Sequence, residues 1–281
     1  MRDAMVVRSG PVNQGWRLLA TGMAFVVFGV SGAAFSACFL PLMLLWPHRA
    51  SRQRAVVFGI HCFFRSLVAA LRWLRVMHVD ARGVARLRQR GPCIVVANHP
   101  TYLDVMVLLS MTPRACCVVK KAHWGNPCFW GIVRAAAYVS NADPEALVRD
   151  GARRLAEGYT VIVFPEGTRS PGPDRLHAFS RGFAHMALQS HADVLPVLMH
   201  CSPPAFTKRM RWYDVPPRAF TVHVRVLEPL GMARAEPVRP TPEAVDRKVG
   251  TPSLALAARR LTSTVETLMY QRLKDHGFIE T

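Results

Sequence analysis

Apolar positions dominate the first part of the chain, and their pattern predicts helices associated with a membrane. No charged residue occurs from position 18 to position 46. Because a helix needs roughly 20 apolar residues to cross the hydrocarbon core of a bilayer, this run is long enough for a span. Three glycines and Pro41 interrupt it, so a bent hairpin within one leaflet and a buried core helix stay open as alternatives.

A second apolar segment, residues 55–77, has the pattern of an amphipathic helix. Arg65, Arg72 and Arg75 are spaced so that they fall near one face of a helix. Such a helix suits the headgroup level of a bilayer, where arginines face lipid phosphate, or packs by its apolar face on a folded domain. We predict a membrane-associated helical region at residues 1–80 and a second domain at residues 81–281.

From Gly91 onward, short β-branched runs alternate with helical stretches. Strands are predicted at residues 93–97, 115–119, 160–164, 194–199 and 220–227. Helices are predicted at residues 102–111, 124–136, 143–157, 179–190 and 254–274. Residues 229–252 hold five prolines and are expected to form an irregular connection. The alternation predicts an α/β fold with a mixed, largely parallel sheet that is covered by helices.

The charge narrows the class of partner. The chain carries 36 Lys and Arg against 18 Asp and Glu, a net charge of +18, which favours an acidic partner such as an anionic membrane or nucleic acid. The uncharged run and the lack of a recognisable nucleic-acid motif argue against nucleic acid. The seven cysteines are an odd number without CxxC spacing, which predicts reduced thiols rather than a disulfide framework or a zinc site.

A first chemical motif follows the first predicted strand of the α/β part. Residues 98–104 are NHPTYLD, and the loop at the end of a strand is where α/β sheets place ligands. His99 is suited to general-base chemistry because imidazole titrates near neutral pH. Asp104 lies five residues further on, from where its carboxylate can fix the tautomer of His99. The other ring nitrogen would then accept a proton from an attacking hydroxyl.

A second motif, FPEGTRS at residues 164–170, also leaves a predicted strand. Arg169 offers a planar fork suited to a phosphate or a carboxylate. Gly167 permits close approach of the backbone to a ligand, and Glu166 can orient Arg169 or accept a hydrogen bond from the acceptor. Further on, residues 208–213 (KRMRWY) form a basic cluster with aromatics, which suits anionic headgroups, the acidic surface of a carrier protein, or an ordinary surface loop.

NHxxxxD followed about 60 residues later by FPEGTRS resembles the glycerolipid acyltransferase family, whose best-known members acylate lysophosphatidic acid. Two weaker blocks, residues 179–182 and 194–197, extend the similarity over residues 91–229. The resemblance implies that His99 is the base and Asp104 its partner, in a membrane-bound O-acyltransferase of phospholipid biosynthesis. The substrate-binding residues that it implies are Asn98, Lys121, Glu166, Gly167, Thr168, Arg169 and Arg181.

The resemblance also implies what the protein works with. Acyl-CoA or acyl-carrier protein would donate the acyl chain, and membrane lipids would be its partners, with no metal, no tightly bound cofactor and no nucleic acid. Donors of this kind are cytoplasmic, which predicts the inner membrane with an active site facing the cytoplasm. The oligomeric state is left open.

The chain departs from the family at two places. Ala122 and His123 follow Lys120 and Lys121 where an acidic and an apolar residue are common. Ser140 and Asn141 stand where members with a phosphorylated acceptor often carry an aspartate–arginine pair. A specialised acceptor, such as an amino-acid lipid or a polyene-type lipid, is therefore an alternative, with Lys120, Lys121 and Arg181 as replacement charge. A catalytically inactive membrane-binding relative is the other.

Overall fold

The architecture is that of a seven-stranded sheet enclosed by helices. A computed structural model describes residues 11–35, 37, 45, 47–89, 91–121, 127–136, 138–172, 175–231 and 252–275. The helices are α1 Pro11–Ala34, α2 Arg49–Trp73, α3 Ala85–Gln89, α4 Asp104–Met111, α5 Pro127–Ala135, α6 Pro144–Ala156, α7 Gly182–Ser190 and α8 Pro252–Asp275. The strands are β1 Met77–Arg82, β2 Ile94–Ala97, β3 Ala115–Val119, β4 Val139–Ser140, β5 Thr160–Val163, β6 Val194–Ser202 and β7 Phe220–Val226.

The sheet is mixed and largely parallel, as predicted. Its strand order is β1-β7-β6-β2-β5-β3-β4, and β6 with β7 is the antiparallel pair. The neighbouring pairs from β6 to β4 are all parallel, as is the pair of β1 with β7. Strand β2 therefore lies between β5 and β6, and the three strands end at the same edge of the sheet.

Two apolar cores cover the two faces of the sheet. In β2, Val95 and Ala97 contribute to one core, and Ile94 and Val96 to the other. A strand buried on both faces is expected to be apolar throughout, which explains the IVVA run. Helices α1, α2 and α4 pack on the first face, and α7 and α8 on the second. The protein thus has a helix layer on each side of the sheet.

The two N-terminal helices differ in how they are packed. Both, over Gln14–Ala34 and Arg49–Trp73, are long and apolar enough to cross a membrane by length and composition. Helix α2 buries one face on the domain, where His61 Nδ1 lies 2.7 Å from the carbonyl oxygen of Leu109 in α4. Helix α1 leaves many large apolar side chains exposed, among them Leu19 and Val30 at 60% and 62% exposure.

The structure adds elements that the sequence pattern missed. Strand β1 was not predicted because its polar residues obscure the alternation. Asp80 of β1 accepts hydrogen bonds from Arg225 and pairs with His223 at 3.1 Å, so these polar groups are matched by the neighbouring strand β7. Helix α3 and the two-residue β4 were also missed. Helix α7 begins at Gly182 rather than Phe179, because Ser180 N–H instead donates to the carbonyl oxygen of Pro165.

Some predicted features lie outside the described residues. These are most of the second half of the uncharged run, positions 122–126, and most of the proline-rich connection, so the hairpin alternative stays a prediction. The division at residue 80 also stays a prediction; strand β1, at Met77–Arg82, extends across it.

Strand β6 carries a buried histidine that makes stability depend on pH. Burial, with a smaller contribution from His223, lowers the pKa of His200 to about 4. The unfolded chain, whose histidine titrates near 6.5, then binds more protons than the folded protein between these values. Stability is therefore complete above about pH 6.5 and falls as the pH drops towards 4, by at most about 3 kcal/mol from this group.

We expect His200→Gln to remove this part of the acid sensitivity. Chemical denaturation of the wild type and of the variant at pH 7.5 and pH 4.5 measures it, with the exposed His191→Asn as control. Equal losses of the free energy of unfolding in wild type and His200→Gln would contradict the assignment.

Candidate active site

Three loops meet where β6, β2 and β5 end. Residues 98–103 follow β2, residues 164–181 follow β5, and residues 203–219 follow β6. Both sequence motifs lie in the first two loops, because β2 and β5 are parallel neighbours whose carboxyl ends meet. The edge of the sheet therefore brings the NHPTYLD and FPEGTRS motifs together, at the position where α/β sheets bind ligands.

His99 and Asp104 form a hydrogen-bonded pair. His99 Nδ1 lies 2.9 Å from Asp104 Oδ2. Asp104 is fully buried at the first residue of α4, where the positive end of the helix dipole favours a carboxylate. Thr101 holds the same carboxylate, through its N–H to Oδ2 at 2.7 Å and its hydroxyl to Oδ1 at 2.8 Å. With Nδ1 donating to Asp104, Nε2 is the nitrogen left to accept a proton.

The imidazole of His99 is held in place but accessible. Its ring lies 4.5 Å from the ring of Phe164, the first residue of the second motif. The His99 side chain is 18% exposed, whereas that of Asp104 is 1% exposed. A substrate can therefore reach the histidine, while the aspartate acts only through it.

Asn98 connects the first motif to the neighbouring strand. Its amide nitrogen donates to the carbonyl oxygen of Met199 at 2.9 Å, and its amide oxygen accepts from the N–H of Met199 at 2.7 Å. The residue is 2% exposed. These contacts hold the start of the loop that follows β2 against β6, and the substrate-binding role that the resemblance implies for Asn98 stays a prediction.

Glu166 connects the two motifs to each other. Its Oε1 accepts from His99 N–H at 3.0 Å and from the Ser170 hydroxyl at 2.6 Å, and its Oε2 accepts from His177 N–H at 2.9 Å. The residue is only 8% exposed. Ser170 N–H donates in return to the carbonyl oxygen of His99 at 2.7 Å. The carboxylate thus has protein partners at both oxygens and fixes the backbone of the catalytic candidate.

Arg169 spans the first and third loops. Its guanidinium carbon lies 3.6 Å from the centre of the Tyr102 ring, and Nη2 donates to the Tyr102 hydroxyl at 2.9 Å. Nη1 donates to the carbonyl oxygens of Phe206 and Thr207, at 3.3 and 2.8 Å. The side chain remains partly exposed. The fork is therefore oriented by the protein and still accessible to an anion.

The other predicted site residues lie around this centre. Gly167 has a φ of +63°, a left-handed conformation in which a side chain would be strained, so the turn itself requires glycine. Thr168 is half-buried beside it. Arg181 is exposed immediately before α7, and Lys121 is exposed after β3. The backbone N–H of Lys121 donates to the Asn141 side-chain oxygen at 3.2 Å, so the departing Ser140–Asn141 pair adjoins this lysine.

Several contributors escaped the sequence analysis. Thr101, Tyr102 and Ser170 lie inside the motifs but were given no role, although a hydroxyl three residues before Asp104 is a recognisable helix-start signal. Phe206 and Thr207, in the third loop, use only backbone oxygens to hold Arg169. A backbone contact of this kind leaves no residue-type signal in a sequence.

A small cavity of about 160 Å³ lies between the three loops. Its lining includes Thr101, Ser170, His200, Cys201, Lys208 and Arg209. Burial raises the pKa of Cys201 to about 12, so this thiol is protonated at neutral pH and unsuited to act as a nucleophile. Within the described ranges, no group of three His, Cys, Asp or Glu side chains is arranged to hold a metal ion.

Comparison with known proteins shows similarity to acyltransferases. The Acyltransferase family model matches residues 78–200, which include both motifs. The 1-acyl-sn-glycerol-3-phosphate acyltransferase alpha of Mus musculus is 27% identical over 206 residues, covering 68% of this chain and 71% of that protein. The beta form of Homo sapiens is 26% identical over 171 residues, covering 57% of this chain and 59% of that protein.

A solved structure shares the fold. The crystal structure of the 1-acyl-sn-glycerophosphate (LPA) acyltransferase PlsC from Thermotoga maritima superimposes with a TM-score of 0.66 at 20% identity, and covers 96% of this chain and 98% of its own. The predicted fold class is thus confirmed. The family match, the motifs and these relatives make residues 78–200 of this chain similar to the Acyltransferase family.

Proposed function

We propose that this protein transfers a fatty acyl chain from a thioester to a hydroxyl of a lysophospholipid such as 1-acylglycerol 3-phosphate. The observation that carries the proposal is the buried Asp104 carboxylate paired with an accessible His99 at the edge of the sheet. The names of the relatives supply the acceptor class, 1-acyl-sn-glycerol 3-phosphate.

The proposed reaction needs no covalent enzyme intermediate. The acceptor hydroxyl attacks the thioester carbonyl while His99 Nε2 takes its proton, and Asp104 stabilises the imidazolium that forms. The tetrahedral intermediate then collapses, its carbon–sulfur bond breaks, and the leaving thiolate takes the proton from His99. One ester and one free thiol result. The His99 N–H already donates to Glu166, so stabilisation of the oxyanion falls to another amide.

Arg169 is the proposed headgroup ligand. Tyr102 and the third loop hold its guanidinium in one orientation beside the dyad, which lowers the entropy lost when an anion binds. A phosphate on the acceptor would satisfy the fork. Acyl-CoA and acyl-carrier protein are both proposed as donors, because each carries the acyl chain as the thioester that the acceptor hydroxyl attacks.

The proposal includes association with the inner membrane. Helix α1 exposes Leu19, Met23, Val26 and Val30, an apolar face that suits lipid rather than water. An active site facing the cytoplasm would meet both donors. In this setting the product is a phospholipid precursor, which places the reaction in phospholipid biosynthesis.

A specialised acceptor is the alternative supported by a specific feature. Strand β4 ends at Ser140, and Asn141 holds the backbone of Lys121 where a family arginine is often found. The pair offers neutral hydrogen-bonding groups instead of a fixed cation. This chemistry suits an acceptor with less negative charge than a phosphate monoester.

Acyl transfer to lysophosphatidic acid tests the proposal directly. Radiolabelled acyl-CoA and acyl-carrier protein would be offered in turn to detergent-solubilised wild type and His99→Ala. Transfer by the wild type alone supports the reaction. No transfer by a folded wild type would overturn this acceptor and favour the alternative.

We expect Arg169→Ala to raise the acceptor KM by about tenfold or more while the donor KM changes little, because the charged fork binds only the headgroup. Steady-state kinetics with each substrate varied in turn measure both constants. Arg169→Lys should recover part of the acceptor affinity, because it restores the charge but not the planar fork. The exposed Arg272→Ala is the matched control. An unchanged acceptor KM in Arg169→Ala would contradict the role.

A further inference from the structure

The third loop, residues 203–219, joins helix α1 to the active site. At one end, the carbonyl oxygens of Phe206 and Thr207 hold Arg169. At the other end, Arg17 of α1 donates a hydrogen bond to the carbonyl oxygen of Pro217. We call residues 203–219 the bridging loop. A membrane surface in contact with this end of α1 would therefore also lie close to the bridging loop.

Aromatic rings reinforce the contact between the bridging loop and α1. The Phe25 ring meets Phe206 at 5.9 Å and Trp212 at 6.3 Å, both edge to face. The Trp212 ring also covers Gly22, where an added Cβ would lie 3.6 Å from Cζ3. Edge-to-face pairs and a close approach at glycine fix the side of α1 on which Trp212 lies.

The outer surface of the bridging loop combines aromatic and cationic side chains. Trp212 and Tyr213 are 53% and 43% exposed. Lys208, Arg209 and Arg211 are exposed around them. The acidic side chain in this segment, Asp214, accepts from the backbone N–H of Arg211 at 2.7 Å and so caps the turn within the loop.

The depth of Trp212 matches a membrane interface. The uncharged run begins at Leu18, and Trp212 packs on Gly22, which lies about 6 Å further along the helix axis. Tryptophan and tyrosine favour this headgroup depth, where one side of the ring is apolar and the other is wet. The exposed face of α1, with Trp16, Leu19 and Met23, continues the apolar surface on the same element.

The geometry points to the bridging loop as a second membrane-contacting surface, in which Trp212 and Tyr213 enter the interface and Lys208, Arg209 and Arg211 bind the phosphates of anionic lipids. This inference rests on the membrane association proposed above. Charge complementarity favours anionic lipid as the partner, because each cation near an anionic bilayer strengthens association about fivefold. An integral helix alone would need no such cluster.

Fluorescence quenching in vesicles tests this surface. The full-length protein is reconstituted into phosphatidylcholine vesicles with or without phosphatidylglycerol, with lipids brominated near the acyl carbonyl. The emission of wild type minus that of Trp212→Phe isolates Trp212. We expect this emission to be quenched by the brominated lipid at least about twofold more strongly with phosphatidylglycerol present than without it.

A charge-matched pair of variants identifies the cations responsible. Lys208→Gln/Arg209→Gln/Arg211→Gln should abolish the dependence of Trp212 quenching on phosphatidylglycerol. Arg259→Gln/Arg260→Gln/Lys274→Gln removes the same charges from exposed positions of α8, on the opposite face of the sheet, and should leave it intact. If both triple variants lowered the phosphatidylglycerol dependence equally, net charge alone would explain the effect, and the inference would be overturned.

Three further outcomes separate this inference from the proposed function and from binding of a carrier protein. Vesicle-bound protein whose Trp212 is quenched by aqueous iodide and not by brominated lipid would overturn the bridging-loop surface alone. Protein that stays out of the vesicles would overturn membrane association as well. A raised KM for acyl-carrier protein in the loop triple variant, with Trp212 unquenched by lipid, would assign the cations to an acidic carrier instead.

Discussion

Replacing His99 by alanine is expected to lower the rate of acyl transfer by about 10²- to 10⁴-fold while the protein stays folded. The imidazole is the proposed base; it is accessible and pairs with a buried carboxylate, at 2.9 Å between Nδ1 and Oδ2. Without it, the acceptor hydroxyl must lose its proton to water, and the leaving thiolate has no acid. The loss should fall on kcat with either donor, because proton transfer belongs to the chemical step.

The controls for this result separate chemistry from folding. Asp104→Asn should also reduce kcat, because an amide in place of the carboxylate no longer fixes the tautomer of His99. His78→Ala replaces an exposed histidine of β1 and should leave kcat unchanged. Thermal unfolding of each variant checks the fold. Retention of most wild-type activity by a folded His99→Ala would show that another group acts as base.

The central part of the fold follows from its sequence because each element carries a local signal. The IVVA strand is apolar on both faces, and the Asp143–Pro144 pair starts α6 with the aspartate side chain accepting from Glu145 N–H at 3.0 Å. Strand β1 lacks such a signal. Its Asp80 is matched by Arg225 and His223, more than a hundred positions away in β7.

The same distinction holds in the site. The spacing allows His99 and Asp104 to pair, since both lie within one loop and its following helix turn, and the family resemblance of the two motifs together led to the prediction that they do. The partners of Glu166 were not predictable, because one is the backbone N–H of His99 from another strand end. Sequence spacing specifies which residues share a loop, whereas the sheet order decides which loops meet.

The bridging loop connects Arg169 of the candidate active site to the N-terminal helix α1. The loop is tied to α1 by Phe25 and Arg17, and to the fork by two carbonyl oxygens. Packed and hydrogen-bonded groups of this loop therefore link α1 to Arg169, the proposed headgroup ligand. The acceptor is itself a membrane lipid under the proposed function, so the residue proposed to bind its headgroup contacts the loop that is proposed to touch the membrane.

Replacing Glu166 by glutamine is expected to lower kcat about 10- to 100-fold and the free energy of unfolding by about 1–3 kcal/mol. Its two carboxylate oxygens accept from His99 N–H, the Ser170 hydroxyl and His177 N–H. An amide has one accepting oxygen, so in either orientation its NH₂ faces at least one of these donors. The backbone of His99 then shifts, and the base loses its alignment with the acceptor.

Kinetics distinguish this positioning role from direct binding of substrate. A shifted base lowers kcat with both donors and leaves the acceptor KM nearly unchanged, whereas a lost substrate contact raises that KM with stability unaffected. Ser170→Ala, which removes one donor and keeps the carboxylate, should give a smaller loss in the same direction, and Glu145→Gln at an exposed position is the matched control. A raised acceptor KM with normal kcat and stability in Glu166→Gln would return Glu166 to the substrate-binding role.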